Sequence, residues 1–350
     1  MKFSQLAVIA SLATLFALSS VVYAKGRETI SVVGSSTVYP FTTVVAERFG
    51  KLTNFKTPKI ESTGTGGGMK LFCSGEGVDT PDISNASRRM KKSEFEMCRR
   101  NGVRGITEVL IGYDGIVIAS TVDTKQWNLT RKELFLAMAK RVPLQDDDGN
   151  RLIDNPYKRW SEINPSLPNF TIEVLGPPPT SGTRDAFVEL VMEGGCKHFE
   201  WIKALEDSDR RRFREICHGV REDGKYIDAG ENDNLIVQKL LANPKALGIF
   251  GFSFLDQNLD KLRGAMIDNV NPDFETITEG TYAISRPLYF YVKNAHEGKV
   301  PGIKEFLAEF TSEAAMGDEG YLTDKGLIPL PTPKLKTIRD NVLSLKPLRL

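Results

Sequence analysis

Histidine is scarce, with three among 350 residues, and no Cys-x-x-Cys pair accompanies it. His198 and His218 stand beside Cys196 and Cys217 without the spacing of a ligand set, which speaks against structural zinc. No Gly-x-Ser-x-Gly elbow surrounds Ser181, so a serine hydrolase is disfavoured, and no glycine-rich loop ends in Gly-Lys-Ser/Thr. Charge of one sign is missing too: Lys+Arg total 46 and Asp+Glu 45. A nucleic-acid surface would show as a strongly basic domain, so no nucleic-acid partner is expected and any anion site must be local.

Long apolar runs are absent beyond the start of the chain. Lys2, the apolar stretch Leu6 to Leu18 and the small–x–small motif Val22-Tyr23-Ala24 read as a secretory signal peptide cleaved near Ala24. Its core is short for a bilayer span, and no cysteine stands at the cleavage site to carry a lipid. A mature chain beginning near Lys25, outside the cytoplasm and without stable membrane insertion, is the expectation. Removing 24 of 350 residues leaves 326, more than one hydrophobic core usually serves, so two domains are expected. In an exported chain four cysteines suggest disulfides, and close sequence spacing favours Cys73–Cys98 and Cys196–Cys217.

What is present is a repeated layout of short β-type run, small polar turn and helical pattern. It occurs at Thr29–Val33 with Gly34-Ser-Ser-Thr37 and a helix from Tyr39, and at Lys59–Ser62 with Gly64-Thr-Gly-Gly-Gly68 and a helix over Met69 to Cys73. It recurs at Asp82–Ala86 with Ser87-Arg88-Arg89 and a helix capped by Ser93 with Glu96, and at Thr171–Leu175 with Thr180-Ser-Gly-Thr183 and a helix over Arg184 to Met192. Ile111–Ala119 and Tyr282–Val292 read as strands, the first a crossing between domains. Gln145–Tyr157 reads as a polar loop and the proline-rich segment after Gly326 as extended chain. Asp146-Asp-Asp-Gly-Asn150 lacks the ligand order of a calcium loop and reads as solvated. Arg210-Arg-Arg212 reads as the charged face of a helix.

Each turn alone is no more than a helix cap or a permissive loop. Four of them, two with an arginine, in one α/β chain point to an anion receptor. Helix starts carry unpaired N–H donors and about half a positive charge, and in a parallel sheet they gather at the carboxyl ends of the strands.

These residues resemble the periplasmic phosphate-binding proteins of the phosphate ABC transporter. The likeness runs through Gly34-Ser-Ser-Thr-Val-Tyr-Pro-Phe41, Ser62-Thr-Gly-Thr-Gly-Gly-Gly68, Asp82-Ile-Ser-Asn-Ala-Ser-Arg88, Trp160 with Asn164-Pro165, Thr180-Ser-Gly-Thr183, Asn232-Asp-Asn234 and Ala246-Leu-Gly-Ile-Phe-Gly251. The resemblance implies a two-domain type II periplasmic binding protein fold with two crossover strands, closing over one dehydrated phosphate in the inter-domain cleft. The expected division is 25–113 with 286–350, and 114–285. It implies a monomeric periplasmic receptor with no cofactor and no catalysis, delivering phosphate to a membrane ABC permease. Another oxyanion such as sulfate, molybdate or tungstate is the alternative ligand, and an exported phosphatase is a weaker rival.

By the same resemblance, Ser36, Thr37, Thr65, Ser181, Gly182 and Thr183 contact the ligand. Two positions depart: better-known members carry an aspartate where this chain has Ser87 and an arginine where it has Pro177. Arg88 or Arg184, or both, are expected to supply the charge. The aspartate matters because a carboxylate can accept the proton of hydrogen phosphate, whereas sulfate has none to give. Asp114, Asp185 and Asp233 are the candidate replacements.

Overall fold

The computed structural model describes residues 27–144, 151–230 and 233–350. The signal-type segment with its cleavage site near Ala24, the acidic run 146–150 and Asn232 lie outside the described residues.

The first elements alternate: β1 (Ser31–Gly34), α1 (Tyr39–Leu52), β2 (Lys59–Ser62), α2 (Thr65–Phe72), β3 (Ile83–Ala86) and α3 (Lys92–Arg100). Val32 and Val33 are buried in β1, and Phe41, Val45, Ala46 and Phe49 recur at helical spacing on the buried face of α1, whose first turn holds Pro40. The 16-residue strand β4 (Ile106–Thr121) follows. Then come α4 (Arg131–Met138), β5 (Val174–Gly176), a helix α5 that begins as Gly182–Ala186, β6 (Tyr226–Asp228), α6 (Asp233–Ala242) and β7 (Leu247–Gly251). The chain returns through β8 (Ser285–Lys293) to α7 (Ile303–Phe310) and α8 (Thr332–Leu343).

One curled nine-stranded sheet runs through the molecule in the order β2-β1-β3-β8-β4-β7-β5-β6, with Leu262–Gly264 pairing β4 as well. Strands β2, β1 and β3 are parallel, as are β7, β5 and β6. Between these halves lie β4 and β8, antiparallel to each other over Ile106–Gly115. From Ile116 to Ala119, β4 changes partner and pairs with β7. The carboxyl ends of both parallel sets are reached where β4 crosses, which is the place for a ligand in open α/β sheets.

Helix α2 sits close on the end of β1. A Cβ on Gly68 would lie 2.5 Å from the Gly34 Cα, and Gly34 itself has φ 127° and no room beside the Asn85 carbonyl. These two glycines let the α2 start approach the β1 turn. Disulfides Cys73–Cys98 and Cys196–Cys217 are both formed, the first joining the end of α2 to α3.

Several expectations are corrected. Helix α2 begins at Thr65, so Gly66, Gly67 and Gly68 are its first turn and not a loop before it. Helix α3 begins at Lys92, and Glu94, not Glu96, closes its start by accepting from the Lys91 amide at 2.8 Å. Ser93 lies inside that first turn. Leu152–Asp154 of the expected polar loop pairs with Arg141–Pro143 as a hairpin. The segment after Gly326 is not all extended: prolines sit at the start of α8, where a missing N–H costs nothing, and Leu335 and Val342 bury one face.

Candidate anion-binding site

The turns after β1, β2 and β3 are neighbours because their strands are. Ser35 N donates to Asn85 O at 3.0 Å and Thr63 N to Gly34 O at 2.9 Å, so the three strand ends are laced together by backbone bonds. Thr65, the first residue of α2, accepts from the Ser87 amide at 3.1 Å, and the Thr65 and Ser87 hydroxyls are also 3.1 Å apart. Neither α1 nor α2 has a side-chain cap. In α2 the Thr65, Gly66 and Gly67 amides are available as donors at the carboxyl edge of the sheet, whereas in α1 Tyr39 N already donates to Ser35 O at 3.0 Å and Pro40 has no N–H.

The second half contributes the loop between β5 and α5. Ser181 caps α5, its Oγ accepting from Thr183 N at 3.2 Å, and Gly182, Thr183 and Arg184 form the first turn. The helix then widens into a π segment, Phe187–Met192, before a last α turn, Glu193–Cys196. A hydrogen bond bridges the halves: Ser36 Oγ donates to Asp185 Oδ2 at 3.1 Å. A groove of about 420 Å³ opens beside this bond, with Pro179, Arg184, Asp185, Glu189 and His218 on its walls. The structure thus brings Ser36 beside the α5 start, and Thr65 beside Ser87.

The two arginines differ. Arg88 is held by Glu94 through two bonds, 2.9 and 2.7 Å, so its charge is already matched. The Glu94 bond raises the Arg88 pKa further, against the opposing effect of burial. Burial pushes the Glu94 carboxyl up, but bonds from Arg88 and the Lys91 amide outweigh it and hold that carboxyl below the usual range. Arg184 stacks over the Tyr226 ring at 4.3 Å and donates weakly to Pro177 O at 3.4 Å. No carboxylate pairs with it among the described residues. Tyr226 supports the loop by donating to Pro177 O at 2.7 Å, and burial pushes its hydroxyl up to about 12.

Three carboxylates weighed as proton acceptors occupy different places. Asp185 faces Ser36. Asp114, on β4, accepts from Arg286 Nε at 3.2 Å, and burial raises its carboxyl despite that arginine. Asp233, at the start of α6, accepts from Gly251 N at 3.2 Å, and burial pushes it up to about 6. Arg286 is the residue that motif reading missed, entering there only as a domain limit. Its signal was a lone charge in the apolar strand run Tyr282–Val292, where a buried cation needs partners. Among the described residues no group of three or more His, Cys, Asp or Glu is placed to hold a metal ion. No described helix is long and apolar enough to cross a membrane.

A family model for a PBP superfamily domain matches residues 22–314. Phosphate-binding protein PstS of Staphylococcus haemolyticus is 30% identical over 319 residues, 89% of this chain and 84% of its own. The chain belongs to the PstS family of binding proteins. Protein SphX of Synechococcus elongatus is also similar, 30% identical over 312 residues, 87% of this chain and 78% of that one. Among solved structures, a possible phosphate-binding protein from Planctomyces limnophilus superposes with TM-score 0.71 at 26% identity, covering 91% of this chain and 98% of that chain. PstS from Borrelia burgdorferi, TM-score 0.58 at 18% identity, shares the fold, over 87% of this chain and 100% of its own. The family's type II binding-protein fold is the mixed α/β architecture seen here.

Proposed function

We propose that this chain is an extracytoplasmic receptor that captures inorganic phosphate between two α/β domains and delivers it to an ABC permease. The observation that carries the reading is the Ser36–Asp185 bond, which joins a strand-end turn of one half to the helix start of the other. Relatives named as phosphate-binding proteins support the choice of ligand. In this reading the domains are 25–113 with 286–350, and 114–285. Residues 1–24 are a leader removed near Ala24, and the mature protein works in the periplasm as a monomer without cofactor or catalysis.

The ligand contacts are Ser36, Thr37, Thr65 and Ser87 from one side and Ser181, Gly182, Thr183 and Arg184 from the other. Arg184 supplies the charge, since Arg88 is neutralised by Glu94. Asp185 takes the role of the missing aspartate: when phosphate enters, its carboxylate exchanges the Ser36 hydroxyl for the ligand's own proton. Sulfate, lacking a proton, would meet an unsatisfied acceptor.

Isothermal titration with phosphate, sulfate, molybdate and tungstate tests this reading. Saturable 1:1 binding of phosphate that sulfate does not displace is expected. Equal affinity for sulfate would reassign the ligand, and steady turnover of a phosphate ester would make the chain an enzyme.

A further inference from the structure

Arg286 on β8 is a buried charge at the crossing of the two halves, 8% exposed. Its three nitrogens go to three elements. Nε donates to Asp114 Oδ2 at 3.2 Å, directly across the strand pair. Nη2 donates to Thr37 Oγ1 at 2.8 Å, in the turn after β1. Nη1 donates to Glu189 Oε2, in the π segment of α5. One guanidinium thus links a turn of the first half to a helix of the second through a strand that belongs to the crossing itself.

Two consequences follow from the chemistry of these groups. A threonine hydroxyl that accepts from Arg286 keeps a single hydrogen, and no described residue takes it. That hydrogen is left to donate to an oxygen of a guest bound beside Ser36. Next, two carboxylates, Asp114 and Glu189, face one cation. Asp114 alone already balances Arg286, so Glu189 adds a surplus negative charge close to a site built for an anion. Such a charge weakens anion binding unless its bond serves another purpose, and the bond it makes spans the two halves.

We propose that Arg286 is a positioning residue of the anion site and that Glu189 closes on it as a clasp. Arg286 orients the Thr37 hydroxyl toward the ligand. Glu189, meeting Arg286 only when the halves are together, slows their reopening and so lengthens the life of the closed complex. This rests on the phosphate-receptor reading above. A bond made in the closed state alone acts on dissociation and leaves encounter unchanged.

Stopped-flow measurement of phosphate association and dissociation tests the clasp with the full mature chain. Glu189 is half exposed, so Glu189→Ala should fold as wild type does. It is expected to raise the phosphate dissociation rate on the order of fivefold to tenfold, with the association rate unchanged within about twofold. Glu189→Asp should recover part of the loss. Arg286→Lys, which keeps the charge but cannot reach three partners, should raise dissociation further, for sulfate as well as phosphate, because a hydroxyl donor such as Thr37 serves both oxyanions. An unchanged dissociation rate in Glu189→Ala, or a faster association in its place, overturns the clasp while leaving the receptor reading intact. No phosphate binding by wild type overturns both.

Discussion

Ser36 and Asp185 are 149 residues apart in sequence and 3.1 Å apart in space, the serine hydroxyl donating to the carboxylate. The bond lies between the turn after β1 and the first turn of α5, two segments whose only shared property in the sequence is a small polar motif before a helix. It places a hydroxyl donor, a carboxylate acceptor and a helix N-terminus around one point.

Arg184, stacked on Tyr226, has no carboxylate partner among the described residues. Arg184→Ala is expected to weaken phosphate binding by on the order of 1.5–3 kcal/mol, roughly tenfold or more. Lys92→Ala, on the exposed start of α3, should bind as wild type. Calorimetry on both variants checks the contrast.

Arg88→Ala should behave differently, because its partner is Glu94. The expected effect is on stability, a loss of about 1–2 kcal/mol at neutral pH. Since Arg88 helps hold the Glu94 carboxyl low in the folded protein, the stabilisation is present above the usual glutamate pKa and disappears as pH falls through the lowered folded value. Urea unfolding of both proteins at pH 7 and at pH 3 should show a gap that closes at the lower pH.

The α/β class and the places of the strand-end turns were legible in the chain because turn chemistry is local. Gly34-Ser-Ser-Thr37 and Thr180-Ser-Gly-Thr183 can be read from their own residues. Helix α7 is local in a similar sense, with Ile303, Phe306, Leu307 and Phe310 at helical spacing on one buried face. What stayed hidden depended on contacts far away. Arg286 meets Thr37 249 residues off and Glu189 97 residues off, and no spacing rule reports such a meeting. Arg88 looked as available as Arg184 until Glu94 folded back upon it. The strand Tyr226–Asp228 was masked by flanking Gly and Asp residues, and it forms because β5 offers it an edge. The helix Thr332–Leu343 was obscured by prolines that lie at its start.

Asp233 offers a second test by pH. Burial pushes its carboxyl up to about 6, so its ionisation costs the folded state stability that is fully present below the unfolded pKa and lost as pH rises through 6. Asp233→Asn keeps an oxygen for the Gly251 amide and cannot ionise. It is expected to match wild type at pH 4 and to exceed it at pH 8 by on the order of 2–3 kcal/mol. Thermal unfolding across that range reads the crossover.

The disulfides close loops whose ends are 25 and 21 residues apart. Chain-entropy arguments assign each about 3 kcal/mol through the unfolded state. Replacing Cys196 and Cys217 together by serine should lower the unfolding free energy by about that amount. It should leave phosphate affinity within about twofold, because that pair lies at the far end of the helical rod that starts at Gly182.

The most direct measurement is a crystal structure of the mature protein grown with phosphate. One phosphate should occupy the space between the turn at Ser36 and Thr37, the start of α2 at Thr65, and the Ser181–Arg184 turn, with oxygens at about 2.7–3.1 Å from their donors. A phosphate bound on an outer face, or an empty cleft in crystals saturated with phosphate, would contradict the account.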